Sequence, residues 1–92
     1  MTPKEKLYYL LNGYLNDEYD TITFCDLFTE VFNLERDSSI SAAEEQLFEE
    51  LMRITSRFSP YEEDLRIPNA FYNEKEVISK AEEIFKKLNS FS

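Results

Sequence analysis

The sequence has 92 residues, 42% of them hydrophobic and 15% aromatic, which suits a single domain over residues 1–92 that buries its own core. It has no histidine, one glycine and one cysteine, which excludes a histidine-dependent nucleophile pair, a glycine-rich phosphate loop and an intramolecular disulfide. Its 19 acidic and ten basic residues give a net charge of −9, which is unfavourable for binding to nucleic acid or to an anionic membrane.

A first helix is predicted from a capping box at the start of the chain. Thr2 is expected to be its N-cap, with Pro3 at the first helical position and the Glu5 side chain reaching back to the cap. The apolar residues that follow recur at helical spacing and predict a buried stripe: Leu7, Leu10, Leu11, Tyr14 and Leu15. Gly13 lies within this helix, where glycine costs about 1 kcal/mol relative to alanine, so we expect another helix to pack closely against it.

A polar turn leads to a second helix, whose predicted N-cap is Thr23 and whose predicted end is near Glu35. Ile22, just before this cap, is expected to pack on Leu27 as a hydrophobic staple. The predicted buried stripe is Phe24, Leu27, Phe28, Val31 and either Phe32 or Leu34. Cys25 lies in the same apolar run, which predicts a buried thiol rather than a reactive one.

A third helix is predicted after a polar linker, with Ser41 and Glu44 forming its capping box. At 100° per residue, the predicted buried face of this helix contains Leu47, Phe48, Leu51, Ile54, Thr55 and Phe58. Glu45, Glu49 and Ser56 fall on the opposite face, which is expected to point outward. The third helix is therefore predicted to be amphipathic, with an acidic outer side.

Two further helical segments are predicted towards the end of the chain. Ser59 is expected to cap one extra turn that ends at Asp64, and the last helix is expected to begin at Asn73. The predicted buried stripe of this last helix is Val77, Ile78, Ala81, Ile84, Phe85 and Leu88. Residues 37–39 are predicted to be a linker and residues 65–72 an ordered loop. Because the connections are short, neighbouring helices should run antiparallel, and the predicted fold is all-α, an antiparallel four-helix bundle.

The acidic excess is confined to residues 17–64, which hold 14 acidic and three basic residues. Within this stretch, Glu45 and Glu49 are like charges at i and i+4, which destabilise an isolated helix by about 0.2–0.5 kcal/mol and so indicate a use at the surface. Tyr61, directly before Glu62 and further acids, is typical of an aromatic anchor at a protein interface. These residues favour a basic protein partner, with an ordinary solvated surface as the alternative.

The same carboxylates do not predict a metal site or catalysis. Metal sites in helical bundles combine glutamate with histidine on inward faces, whereas Glu45 and Glu49 are predicted to point outward and histidine is absent. Hydrolysis by a pair of carboxylates needs a deep cleft, for which a helical core of 92 residues leaves little room. The sequence therefore predicts no catalytic residue, no metal and no cofactor, and an enzyme is the least favoured alternative.

The second half of the chain resembles the colicin D-type immunity proteins, a family of bacterial self-protective colicin-like immunity proteins. The residues that carry the resemblance are Leu47, Phe48, Arg57, Phe58, Pro60, Glu62, Glu63 and Asp64. The predicted helices on either side of them match the family in order and length over nearly the whole chain. Ser56 and Tyr61 depart from the family pattern, because each stands at a position where an acidic residue is expected.

The resemblance implies a four-helix protein that neutralises, one to one, the ribonuclease domain of a bacteriocin or of a contact-dependent inhibition toxin. In that family the toxin cleaves transfer RNA, and acidic residues of the immunity protein block the active site in place of phosphates. Glu62, Glu63 and Asp64 match the family's acidic run, whereas Arg57 and Phe58 match its more structural part. The predicted partner-binding residues are Glu45, Glu49, Ser56, Tyr61, Glu62, Glu63 and Asp64.

Elementary electrostatics supports the same mechanism. A nuclease must present a cationic site to RNA, so an acidic surface is attracted to that site and can fill it. Together with the resemblance, this leads us to expect a cytoplasmic protein whose partner is the cognate toxin nuclease domain, with no direct contact to nucleic acid or to a membrane. The alternative is an acidic helical adaptor or secretion chaperone that grips a basic protein through apolar surface.

Overall fold

The computed structural model describes residues 1–35, 38–67 and 70–90, and these residues form five helices and no strand. The helices are α1 (Pro3–Leu15), α2 (Thr21–Leu34), α3 (Ala42–Thr55), α4 (Glu62–Leu65) and α5 (Glu74–Asn89). Helix α1 packs against α2 and α5, and α3 also packs against α2 and α5, so the four long helices share one core. The predicted all-α fold class is therefore confirmed. Within the described ranges, no helix has both the length and the apolarity that crossing a bilayer requires.

Helices α1 and α3 begin at the predicted capping boxes, and α5 begins at the predicted Asn73, which also forms a capping box. In each box the N-cap side chain accepts a hydrogen bond from the backbone of the third helical residue, whose glutamate side chain accepts one from the N-cap backbone. The three pairs are Thr2 with Glu5, Ser41 with Glu44, and Asn73 with Glu76. These reciprocal bonds satisfy backbone N–H groups that would otherwise have no partner inside the helix.

Helix α2 begins earlier than the sequence predicted. Asp20, not Thr23, is the N-cap, because the Asp20 Oδ1 atom accepts a hydrogen bond from the Thr23 backbone N–H at 2.8 Å. The hydrogen bonds from Thr23 also hold the pKa of the Asp20 carboxyl below its usual value. Ile22 is consequently the second residue of the helix, so the predicted staple from a position before the cap onto Leu27 is wrong.

The buried stripe of α2 is also narrower than predicted. Phe24, Phe28 and Val31 are buried as expected, whereas Leu27 and Leu34 are exposed. Phe32 packs against the core, which decides between the two predicted alternatives. The Cys25 thiol is buried, as predicted, and burial together with the neighbouring Asp26 charge raises its pKa to about 12.

Five aromatic rings form a continuous chain through the core. Tyr14 stacks on Phe24 with 4.2 Å between ring centroids, and Phe24 in turn contacts Phe28 at 5.4 Å. Phe28 contacts Phe48 at 6.0 Å, and Tyr8 packs edge-on against Phe48 at 5.3 Å. These rings come from α1, α2 and α3, and α5 closes the core with Val77, Ala81, Ile84 and Leu88. Each such ring pair contributes about 0.5–1.5 kcal/mol beyond the burial of its surface.

Gly13 is covered by the Tyr19 ring rather than by another helix, so the predicted reason for this glycine is wrong. A Cβ atom added at Gly13 would lie 2.5 Å from Tyr19 Cε2. The ring is brought there by the turn after α1, in which Asp17 adopts a positive φ of 61° and the Glu18 N–H donates to the Gly13 carbonyl at 2.8 Å. The close approach is therefore local to the α1–α2 turn.

Two predicted connections lie partly outside the described residues. Of the predicted linker over residues 37–39, residue 37 is not described, and of the predicted loop over residues 65–72, residues 68 and 69 are not. The stripe predicted for α5 is largely confirmed, although Ile78 is exposed. Among the described residues, every buried side-chain nitrogen and oxygen atom has a hydrogen-bond partner.

Candidate protein-binding surface

The acidic turn α4 is held in place by Ser59, which is buried. The Ser59 Oγ atom accepts a hydrogen bond from the Tyr61 N–H at 3.2 Å and donates one to Asp64 Oδ2 at 2.7 Å. The Ser59 N–H donates to the Tyr72 carbonyl at 3.1 Å, which ties this segment to the residues just before α5. The prediction that Ser59 is the N-cap of this turn is therefore wrong, because Tyr61 occupies that position. Ser59 instead fixes the backbone on which the turn is built.

The outer side of this turn presents Tyr61, Glu62 and Glu63, which are all exposed. Glu62 lies 3.8 Å from Arg66 in an ion pair whose two side chains are largely exposed, so the pair contributes about 0–1 kcal/mol. Asp64 differs from its neighbours, since it is half-buried and accepts the Ser59 hydroxyl. Of the predicted acidic run, the two glutamates are therefore available to a partner, whereas Asp64 supports the turn.

The predicted acidic edge of α3 lies along one side of that helix, on which Glu45 is exposed and Glu49 is half-buried. Glu45, Glu49 and Ser56 share this side, which is about 17 Å long at 1.5 Å per residue. The Glu49 carboxylate accepts a hydrogen bond from Arg53 at 2.9 Å, so part of its charge is already balanced. Ser56 is the C-cap of α3, and its hydroxyl donates to the Arg53 carbonyl at 3.3 Å.

A groove of about 630 Å³ lies between α2 and the segment that follows α3. Its floor contains Cys25 and Thr55, which are both buried, together with Thr29. The Thr55 hydroxyl donates to the Met52 carbonyl at 3.1 Å, so the Thr29 hydroxyl is the donor in the 2.8 Å bond between the two threonines. This bond joins α2 to α3 beneath the groove and gives the floor a defined shape.

The walls of the groove combine exposed apolar and acidic side chains. Leu34, Tyr61 and Ile22 are 75%, 67% and 51% exposed, and all three border it. Asp26 and Glu30 lie one turn apart along α2 on the same wall. No basic residue lines the groove within the described ranges.

The structure brings together only some of the predicted site residues. Ser56 and Tyr61 both border the groove, whereas Glu45 and Glu49 lie further back along α3 and do not line it. Asp26 and Glu30 were not predicted as site residues. Their spacing of four residues places both side chains on one side of α2, and this spacing is the signal in the sequence that could have indicated them as a pair.

Glu44, the first acidic residue of the Glu-rich stretch on α3, is buried and stabilises the fold. Its carboxylate accepts hydrogen bonds from the Tyr8 hydroxyl and from the Ser41 N–H, and it lies 3.2 Å from the Lys4 ammonium. Burial by itself would raise the pKa of Glu44, but the bonds from Tyr8, Ser41 and Lys4 outweigh it and lower the pKa to about 2. Burial and the bond to Glu44 raise the pKa of Tyr8.

We expect Glu44→Gln to lower the free energy of unfolding at pH 7 by about 2 kcal/mol, because it removes charge-assisted bonds from a buried site. The pKa of Glu44 in the folded protein lies below the unfolded value of 4.5, so its contribution is complete above pH 4.5 and is lost as the pH falls towards 2. Urea unfolding followed by circular dichroism at several pH values measures the difference, which should shrink across this window.

The exposed neighbour Glu45 provides the matched control for this substitution. We expect Glu45→Gln to change the free energy of unfolding by about 0.5 kcal/mol or less at every pH. Equal losses in the two variants, or a loss in Glu44→Gln that does not depend on pH, would contradict the structural role of Glu44.

Within the described residues, no group of three or more histidine, cysteine or acidic side chains is placed to hold a metal ion. The candidate binding features among the described residues are the turn with Tyr61, Glu62 and Glu63, the acidic side of α3, and the groove beside α2. Comparison of the chain with protein-family models, with curated proteins and with solved structures gives no match.

Proposed function

We propose that this protein is an immunity protein that binds the nuclease domain of a bacterial toxin and covers its basic RNA-binding site with an acidic surface. The observation that carries the proposal is the exposed turn in which Tyr61, Glu62 and Glu63 follow one another on a backbone held by Ser59. The similarity of residues 47–64 to the colicin D-type immunity proteins supports the same conclusion. The toxin proposed is a tRNase of a bacteriocin or of a contact-dependent growth inhibition system.

The chemistry of the turn suits this role. A site that binds RNA is lined by lysine and arginine, and carboxylates on an exposed turn can take the places of its phosphates. The bonds from Ser59 and the bridge to Tyr72 order the turn before binding, so little conformational entropy is lost when the complex forms. Tyr61 adds an exposed aromatic ring, which is frequent among the residues that dominate interface affinity.

The proposal includes the arrangement of the helices and the place of action. An antiparallel four-helix bundle is supported by the short turn between α1 and α2 and by the pairing of each long helix with two others. Such a bundle would act in the cytoplasm of the toxin-producing cell, where the nuclease must be blocked. The inhibitor needs no catalytic group, because it works by occupying the site of another protein.

The test uses the protein encoded by the reading frame adjacent to this gene, which the proposal expects to contain a toxin nuclease domain. We expect cleavage of transfer RNA by that domain to stop at one molecule of this protein per toxin. The association rate should fall about tenfold or more as NaCl rises from about 0.01 M to about 1 M, because the Debye length shrinks from about 30 Å to about 3 Å. Stopped-flow fluorescence measures the rate, and gel analysis of transfer RNA measures inhibition.

A second candidate, an adaptor or secretion chaperone for a basic protein, is favoured by the exposure of Leu34 and Tyr61. An adaptor that binds mainly through such apolar side chains would associate at a rate that changes little with salt. It would also leave cleavage of transfer RNA unaffected. These two results together would replace the immunity proposal with the adaptor proposal.

A further inference from the structure

We infer that the groove between α2 and the segment after α3 binds one loop of the partner, which inserts an arginine or lysine side chain between Asp26 and Glu30. This inference rests on the proposed function, and it adds a second contact to the acidic turn. The turn faces the phosphate-binding residues that any nuclease of this kind must have. The groove would instead recognise a basic loop particular to one toxin, and so determine which toxin is bound.

The two carboxylates are spaced to receive a single cation. Asp26 and Glu30 are four residues apart in α2, which places their Cβ atoms about 5–6 Å from each other on one side of the helix. Both residues are exposed, and neither forms a salt bridge with another described residue. A guanidinium group presents several N–H donors in a fixed plane and can therefore bond to both carboxylates at once.

The apolar walls of the groove match the aliphatic part of an arginine or lysine side chain. Arginine and lysine carry long aliphatic stems that pack on apolar surface while their charged ends reach polar groups. Ile22 and Leu34 offer that surface on α2, and the Tyr61 ring on the opposite wall can lie against the cation. Because the two acidic groups are flanked by apolar ones in a single groove, a segment with a basic side chain next to an apolar residue fits the groove better than a segment with only one of these features.

The groove is formed before the partner arrives. Its floor is fixed by the bond between Thr29 and Thr55 and by the buried side chain of Cys25. Its volume of about 630 Å³ is within the range of ordinary ligand sites, so it has room for a short loop rather than for one side chain only. A preformed site of this size needs no rearrangement of the helices to bind, which favours affinity.

The test compares two double variants that lose the same charge. Asp26→Asn with Glu30→Gln removes both carboxylates from the groove, whereas Glu18→Gln with Glu82→Gln removes two exposed carboxylates outside it. We expect the groove variant to bind the nuclease domain encoded by the adjacent reading frame about 30-fold or more weakly, mainly through faster dissociation. The control variant should change affinity about threefold or less, mainly through slower association. Circular dichroism should show the same helix content in both.

A second measurement tests the groove without the toxin. The tripeptide acetyl-Arg-Leu-Arg-amide is titrated into the isotope-labelled protein, with acetyl-Glu-Leu-Glu-amide as the control probe. We expect the basic peptide to shift amide signals around Ile22, Asp26, Glu30 and Tyr61, and the acidic peptide to shift none of them. Shifts spread evenly over the acidic surface, or no shifts at all, would overturn the inference.

The outcomes separate the two proposals. If the wild-type protein inhibits the nuclease but the groove variant binds as tightly as the control variant, the groove inference is wrong and the proposed function stands. If the wild-type protein neither binds nor inhibits the nuclease, the proposed function fails, and the peptide titration still decides whether the groove takes a basic segment.

Discussion

Replacing both Glu62 and Glu63 by lysine is expected to weaken binding of the toxin nuclease domain about 100-fold or more and to abolish protection of cells that express the toxin. The double substitution changes the charge of the turn by four units and places cations against a site that is itself cationic, which costs several kcal/mol. Both side chains are exposed, and the ion pair of Glu62 with Arg66 contributes about 1 kcal/mol at most, so helix content should not change. Surface plasmon resonance and a plating assay provide the two measurements.

The design leaves Asp64 unchanged for a structural reason. Because Asp64 accepts the hydroxyl of the buried Ser59, a lysine there would disturb the turn itself and would confuse loss of binding with loss of structure. The matched control is Glu18→Lys with Glu82→Lys, which changes the net charge equally at two exposed sites away from the turn. If the turn variant still bound with wild-type affinity, the binding surface would have to lie elsewhere on the protein.

The helix starts that could be predicted from the sequence are those that depend only on contacts among four consecutive residues. In α1, α3 and α5 the N-cap side chain and the third helical residue bond to each other, so the two residue types are enough to place the boundary. The start of α2 was predicted wrongly, because the sequence pattern pointed to Thr23 as the N-cap, whereas the structure uses Asp20, three residues earlier. The choice between them depends on the rest of the fold. Thr21 is buried, shares a 2.9 Å hydrogen bond with Tyr14 of α1, and donates to Glu74 of α5 at 3.0 Å.

The roles of individual acidic residues could not be predicted from local sequence for a similar reason. Glu44 and Glu45 are neighbours with the same side chain, yet Glu44 is buried because it bonds to Tyr8, which is 36 residues away. Asp64 and Glu63 differ in the same way, since only Asp64 accepts the Ser59 hydroxyl. A carboxylate that supports the fold and one that faces a partner have the same residue type, and only their tertiary contacts distinguish them.

The groove beside α2 could not be predicted from the helical periodicity of the apolar residues. The sequence predicted Leu27 and either Phe32 or Leu34 on the buried side of α2, and it predicted no binding surface on the outer side of that helix. In the structure Leu34 projects outward and, with Ile22, forms an apolar border for Asp26 and Glu30. An apolar residue on the outer side of an amphipathic helix is evidence of a binding surface only when its neighbours in space are known.

Phe48→Ala is expected to lower the free energy of unfolding by about 3–5 kcal/mol, the largest effect of any single substitution proposed. Phe48 is fully buried and contacts the rings of Tyr8 from α1 and Phe28 from α2, so its removal leaves a cavity where three helices meet. Since the total stability of such a domain is about 5–15 kcal/mol, this loss removes a large fraction of it. Urea unfolding measures the loss, and Tyr9→Ala, which removes an exposed ring from α1, should cost about 0.5 kcal/mol or less.

Measuring stability with and without the partner distinguishes a substitution in the core from one in the binding surface. A nuclease domain present at about 1,000 times its dissociation constant adds about 4 kcal/mol to the stability of the folded state, which offsets most of the loss caused by Phe48→Ala. When alone, the variant should therefore unfold at a lower urea concentration than the wild-type protein. In the complex it should regain nearly the stability of the free wild-type protein, because Phe48 lies beneath the surface and does not line the groove. The charge-reversed turn should show the opposite behaviour, with wild-type stability when alone and no stabilisation by the nuclease. If both variants lost stability and binding together, the core and the binding surface could not be separate parts of this fold.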